Sequence, residues 1–393
     1  MKWEFPEKTR NSLPNMIREV NDRGASIPGF ISLAIGNPAA EAIPVKEIKE
    51  AAEEVIAGDP MMILQYGQLG GADVLRRKTK ERLHKVKHLP QDNQELLMIS
   101  GSGQGLGLVP KAVCCEGDQV FTDEYAFTNA LNAIRNSGCV LTGIPMDDDG
   151  MIPEALEMAA ASGKGKYIYL IPNFHNPTGI TMSLKRRKEI YEIARKYDLL
   201  IYEDDPYGEL RFEGEEIPAI KTFDTDDRVI YAGSYSKILS AGLRIGFLYG
   251  NKDIIRTLQM VKNSMDGQSL PMITQLIVSN SLEKLDMNTY IPKICDLYSK
   301  KCKALIDGLH KTCAGDVKII EPEGGMFVWM TLPERLLVED YYESCMQQGI
   351  GVVKSRAFAA DQERPGNSVR LNFTYQSEDE IRRAAEIIGK LTN

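Results

Sequence analysis

The sequence predicts an α/β fold, and two observations carry that expectation. Between about residues 95 and 250, short apolar runs alternate with polar loops and stretches of helical period. That alternation marks a sheet whose strands are joined by helical crossovers. Beyond about residue 270 the order changes, and long stretches of helical period lead into strand, turn and strand. Such runs predict a second, smaller α+β unit.

In the first pattern the predicted strands are 96–99, 120–122, 167–171, 199–203, 229–232 and 245–249. Predicted helices include 45–57, 105–114 and 184–197. In the last of these Ile190, Ile193, Ala194 and Tyr197 recur at helical spacing, while Lys185, Arg186 and Arg187 fall on other faces. In the second pattern 272–309 is helical and 317–320 and 326–331 are strands about the turn Pro322-Glu323-Gly324-Gly325. A strand at 369–373 and a helix over 378–391 follow.

The 393 residues suffice for one large and one smaller domain. A formal net charge of −8 with interspersed signs argues against nucleic acid as a partner. No apolar run reaches membrane-spanning length, and the start Met1-Lys2-Trp3-Glu4-Phe5-Pro6 lacks the apolar core of a signal peptide. Seven scattered cysteines, with Cys114-Cys115 the sole close pair, make a poor disulfide framework, and no Cys/His cluster has zinc spacing. A reduced, cytoplasmic, metal-free protein is expected.

The informative polar residues collect just after the predicted strands, where open α/β sheets bind ligands. Lys237 follows the apolar run 229–232, in Gly233-Ser234-Tyr235-Ser236-Lys237, with Gly242 and Arg244 soon after. An amine beside an apolar strand end has its charged form disfavoured and becomes a nucleophile toward carbonyls. Ser234, Ser236 and Arg244 are donors suited to a phosphate dianion. An imine-forming amine in a phosphate-binding loop is what a pyridoxal phosphate (PLP) enzyme requires. A lysine in a Ser/Gly surface loop has the same local sequence.

After 96–99 comes Ser100-Gly101-Ser102-Gly103-Gln104-Gly105, which opens into a helix as a phosphate cradle would. The spacing fits neither a Walker loop nor G-x-G-x-x-G. Phe127, after 120–122, is either a ring platform or core. Asn176 sits in Asn-Pro-Thr-Gly, a turn from which its amide can reach a phenolate oxygen; His175 is read as a plain turn residue. Asp204, at a buried strand end, needs a cation, and a protonated pyridine nitrogen would serve. Tyr207 is three residues on, although a capping aspartate beside a loop tyrosine reads the same way. Arg370, inside an alternating strand, requires a carboxylate, from a substrate or from a structural ion pair.

In this order, Asn176-Pro-Thr-Gly, Asp204-x-x-Tyr207, Ser234-x-Ser236-Lys237 and Arg244 resemble the fold-type I, PLP-dependent class I/II aminotransferase superfamily. The likeness runs from Ile31-Ser32-Leu33-Ala34-Ile35-Gly36-Asn37-Pro38 to the last helix. Leu64-Gln65-Tyr66-Gly67, Pro322-Glu-Gly-Gly-Met-Phe-Val-Trp329 and the Lys237-to-Arg244 spacing resemble the branch of 2-aminoadipate, kynurenine and aromatic aminotransferases. That branch also holds the effector domains of MocR-type regulators.

The resemblance implies a mainly parallel seven-stranded sheet in a large domain, 45–270, and a small α+β domain built from both termini, 1–44 plus 271–393. It implies that Lys237 bonds covalently to PLP and then carries the proton, that Asp204 pairs with the pyridine nitrogen, and that Asn176 and Tyr207 bind the ring hydroxyl. Ser102, Gly103, Gln104, Ser234, Ser236 and Arg244 would hold the phosphate, and Phe127 would stack on the ring. Arg370 would clamp the substrate α-carboxylate, with Gly36 and Asn176 assisting. Tyr66 would reach the partner's site in a homodimer.

Three residues depart from the family pattern. Ala241 and Tyr125 stand where proline is frequent, and Phe127 where this branch often has tyrosine. The expected activity is ping-pong transfer of an amino group from an aromatic, branched or 2-aminoadipate-like L-amino acid to a 2-oxo acid such as 2-oxoglutarate. Other PLP chemistry on the same fold (C–S lyase, racemase, decarboxylase) shares these residues. A regulator's sensing domain is disfavoured, because the enzyme-like region starts at Ser12-Leu13-Pro14, without room for a DNA reader. Arg18 is a candidate for a distal carboxylate, with a helix-surface role as the alternative.

Overall fold

The computed structural model describes residues 3–10, 12–266 and 270–393. Seven strands share one sheet: Gln94–Ile99 (β1), Gln119–Asp123 (β2), Val140–Ile144 (β3), Gly165–Leu170 (β4), Leu200–Asp204 (β5), Val229–Ser234 (β6) and Gly246–Asn251 (β7). Their spatial order is β1-β7-β6-β5-β4-β2-β3. Neighbours from β6 across to β3 are parallel. β7 runs antiparallel to both strands it pairs with. Six of these strands lie within two residues of the predicted bounds. Apolar side chains on both faces explain why, since crossover helices cover them.

Of the seven strands of the large sheet, the one that the sequence does not predict is β3. It lies at the sheet edge, Val140 is 52 % exposed, and Leu141, Thr142 and Gly143 are half-buried. Such a segment shows neither clean alternation nor a continuous apolar run.

A second, antiparallel sheet holds Lys318–Ile320 (β8), Phe327–Thr331 (β9), Val353–Lys354 (β10) and Ser368–Asn372 (β11), in the order β8-β9-β11-β10. The segment before the large sheet joins this half: Ile31–Ser32 pairs with Ile350 and Gly351, and the Asn372 amide donates to the Leu33 carbonyl at 2.7 Å. The predicted 272–309 helix is two helices, Met272–Lys284 and Met287–Thr312. They part at Asp286, whose carboxylate caps the second by accepting from the Asn288 amide at 3.1 Å. The predicted junction near residue 270 adjoins 267–269, which lie outside the described residues. Among the described residues no helix is long and apolar enough to cross a membrane, and no group of His, Cys, Asp and Glu is placed to hold a metal.

The last helix, Glu378–Lys390, starts at a capping box between Ser377 and Glu380. It lays Ile381, Ala384, Ala385 and Ile388, all buried, against Met287–Thr312. Gly308 permits that approach, since a Cβ there would lie 2.6 Å from the Ala385 Cβ. Gly308→Val is therefore expected to destabilise the fold by about 2 kcal/mol. A chemical-denaturation midpoint equal to that of the parent would contradict the packing.

Candidate functional site

Parallel strands deliver the residues that follow them to one edge of the sheet. The antiparallel β7 starts at that edge, Gly246 lying opposite both Ile99 and Ser234. The loop that precedes β7, with Arg244, therefore meets the loops that follow β1 and β6. A cavity of about 320 Å³ opens there. Ser102 and Gly103 reach it after β1, Phe127 after β2, Asn176 after β4, and Asp204 and Tyr207 at β5. Ser234, Ser236 and Lys237 reach it from β6, beside Arg244. Gly36, Phe327 and Arg370 close it from the other half.

Lys237 is half-buried, and its Nζ donates to the Gly36 carbonyl at 2.7 Å. Burial, and then the charges of Arg244 and Arg370, push its amine down to about 8. Asp204 is buried, and its Oδ2 accepts from the Tyr169 hydroxyl at 2.9 Å. Its Oδ1 is buried with no partner among the described residues. Burial pushes this carboxyl up to about 7, against the Tyr169 hydrogen bond and with a contribution from the Asp205 charge. An open oxygen on a buried carboxylate calls for a charged N–H donor. A protonated pyridine nitrogen is such a donor, so the site fits PLP at this edge.

Across the cavity the Asn176 Nδ2 donates to the Tyr207 hydroxyl at 3.3 Å. Burial raises Tyr207 well above its ordinary range, so its proton stays on to be donated. Arg370 donates from Nη1 to the Asn176 Oδ1 at 2.9 Å and from Nη2 to the Ala34 carbonyl at 2.6 Å. Both acceptors are uncharged, and burial pushes the guanidinium down to about 9.

At the third side lies a nest of anion-binding donors. Ser102 opens the helix Ser102–Val113, and Gly101 before it has φ 66°. A Cβ on Gly101 would lie 2.3 Å from the Arg244 guanidinium, so glycine leaves room for that side chain. Arg244 donates to the Ser236 Oγ at 3.4 Å and to the Ser100 carbonyl at 3.2 Å, and the Ser236 amide donates to the Ser234 Oγ at 3.1 Å. Helix start, hydroxyls and guanidinium together suit a phosphate.

Gln104 and Tyr66 do not line the cavity of their own chain, where only Gln104 is expected. The Gln104 side chain accepts from the Ser100 amide at 2.8 Å and donates to Asp266 at 2.7 Å, and its own amide donates to the Gly101 carbonyl at 3.2 Å. Tyr66 is 81 % exposed and does not line the cavity of its own chain. Arg18 is exposed and pairs with Asp22 at 3.4 Å, while its neighbour Ile17 lines the cavity. Phe327, Asn129 and Ile17 were not singled out from the sequence, nor was Tyr169 as the support of Asp204. For Tyr169 a signal existed: a hydroxyl in an otherwise apolar buried strand needs a partner. His175 does lie in its turn, but buried, with Nδ1 2.8 Å from the Thr178 Oγ1 and Nε2 3.5 Å from Asp123.

Residues 28–388 match the family described as aminotransferase class I and II. The chain is 37 % identical over 383 residues to aromatic-amino-acid aminotransferase 1 of Thermococcus litoralis, covering 96 % of this chain and 91 % of that one. Among solved structures it resembles Pyrococcus horikoshii kynurenine aminotransferase in complex with PMP, kynurenine as substrate and KYA as product. That likeness has a TM-score of 0.93 and 33 % identity, over 99 % of this chain and 96 % of that one. It also resembles the alpha-aminoadipate aminotransferase of Thermus thermophilus bound to N-(5'-phosphopyridoxyl)-L-leucine, with a TM-score of 0.89 and 28 % identity over 99 % and 97 % of the two chains.

Asp204 makes the cofactor-free protein pH-sensitive. Its carboxyl ordinarily titrates near 3.8 and in the fold near 7, so the folded state keeps the proton longer and stability falls as pH rises through that window. The loss reaches about 4 kcal/mol. Cofactor-free Asp204→Asn is expected to melt above the parent at pH 8 and with it at pH 4. Equal melting temperatures at pH 8 would contradict the burial argument.

Proposed function

The chain belongs to the class I and II aminotransferases, which use PLP, and on that footing we propose that it works by two half-reactions in one site. An L-amino acid gives up its α-amino group, and a 2-oxo acid such as 2-oxoglutarate receives it. The observation that carries the site assignment is the unpartnered Oδ1 of Asp204 in the cavity that also receives the Lys237 amine.

PLP, when bound, supplies an electron sink for the pair released as the substrate Cα–H bond breaks. In this proposal the chain's own residues do the remaining work. Asp204 would pair with the ring nitrogen, Asn176 and Tyr207 would hold the ring hydroxyl, and Phe127 would stack on the ring. Ser102, Gly103, Ser234, Ser236 and Arg244 would hold the phosphate. Lys237, its basicity lowered by burial and the charges of Arg244 and Arg370, would bind the cofactor and carry a proton to and from the substrate Cα. Arg370 would grip the α-carboxylate beside Gly36 and Asn176, and an orientation fixed by that grip would favour proton transfer over decarboxylation. Tyr66, exposed on its own subunit, reaches the partner's phosphate site in a homodimer.

For the donor we infer an aromatic, branched or 2-aminoadipate-like side chain. The relatives' names support this, as do Ile17, Ile171 and Phe327 in the cavity wall. The cations lining the cavity are Lys237, Arg244 and Arg370, each already assigned. Asn37 and Asn129 at the rim are uncharged donors for the distal carboxylate of 2-oxoglutarate.

Lys237→Ala is expected to abolish the near-visible absorbance of lysine-bound cofactor and to lower turnover by ~10³-fold. Arg370→Ala is expected to raise KM for amino donors by about 50-fold, through loss of a charge-assisted grip. In a donor panel, turnover should require an added oxo acid. Product without an oxo acid would favour a lyase, racemase or decarboxylase instead.

A further inference from the structure

We propose that Phe358 is a positioning residue for substrate binding: with Phe327 it flanks the Arg370 guanidinium and holds it charged and oriented toward the α-carboxylate. The inference rests on the reading of Arg370 as the carboxylate grip, and extends it to a side chain that does not touch the cavity.

The guanidinium carbon lies 4.2 Å from the centre of the Phe327 ring and 4.7 Å from that of Phe358. All three side chains are at most 1 % exposed. Arg370 on β11 pairs across the ladder with Trp329, so it shares a sheet face with Phe327, two residues away on β9. Each ring is itself held edge-on by another aromatic. Phe327 meets Tyr207 at 5.8 Å and 88°, and Phe358 meets Trp329 at 6.2 Å and 71°. Phe327 also has little freedom on its cavity side, where a Cβ on Gly36 would lie 3.0 Å from its Cζ.

The reason for such a clasp is electrostatic. A buried guanidinium has lost its hydration, and this one donates to two uncharged oxygens while its Nε has no acceptor among the described residues. A carboxylate in the protein would stabilise it but would compete with the substrate for the same fork. Aromatic faces stabilise a desolvated cation without bringing an anion. They leave the charge in place and uncompensated until an α-carboxylate arrives. Burial lowers the Arg370 pKa, which shows what the rings must oppose.

Phe327 lines the cavity and would touch substrate, so Phe358 is the clean probe. The test compares the holoenzyme with Phe358→Leu, Phe358→Tyr and Arg370→Ala, reading KM for two amino donors, kcat and the cofactor absorbance. Phe358→Leu should raise both KM values about 10-fold, a typical loss for one desolvated cation–ring contact. It should leave kcat within about twofold and the cofactor band unmoved, and Phe358→Tyr should restore KM. If Phe358→Leu leaves KM unchanged while Arg370→Ala raises it, the clasp is refuted and the grip stands. If Arg370→Ala also leaves KM unchanged, the grip itself is wrong. A fall in kcat and cofactor content parallel to the KM change, or failure of both Phe358→Leu and Phe358→Met to fold, would make Phe358 a packing residue and overturn the proposal.

Discussion

A buried carboxylate with one oxygen left open is the constraint around which the site is built. Asp204 ends β5 in the interior, where an ionised group is costly unless it is answered. Tyr169, from the neighbouring β4, answers one oxygen. The other has no hydrogen-bond partner among the described residues, and burial raises the carboxyl pKa. The fold tolerates this because the seven-stranded sheet and its covering helices hold the strand end in place. A protonated ring nitrogen would supply the donor that this oxygen lacks.

The rest of the cavity carries the opposite sign. Lys237, Arg244 and Arg370 converge on it, and burial, then the two guanidinium charges, lower the basicity of the amine. The same cations thus serve two ends. They suit the phosphate and carboxylate groups of the reactants, and they help keep the amine available as a base near neutral pH. Topology makes the convergence possible. If β7 ran parallel to its neighbours, Arg244 would precede it at the far edge of the sheet. The antiparallel turn-back brings the arginine to Ser100 and Ser236 instead.

Much of this was legible in the chain. Strands covered on both faces announce themselves as continuous apolar runs, and six of seven did so. β3 escaped because an edge strand with half-exposed residues carries no such run. Site residues were legible where chemistry demands a side chain: an amine, a carboxylate at a strand end, an arginine inside a strand. They were not legible where the role depends on direction. Gln104 sits in the right loop but turns to Asp266, and Ile17 rather than Arg18 faces the cavity. His175 shows the same limit, since its burial against Asp123 and Thr178 follows from tertiary contacts that a local turn motif does not encode.

The central claim is that Lys237 and Asp204 address opposite ends of one PLP ring. Borohydride reduction of the PLP-loaded protein, followed by peptide mapping, tests it most directly. The account predicts a single phosphopyridoxyl group, on the peptide carrying Lys237. Label spread over other lysines, or confined to one of them with Lys237 unmodified, would contradict it.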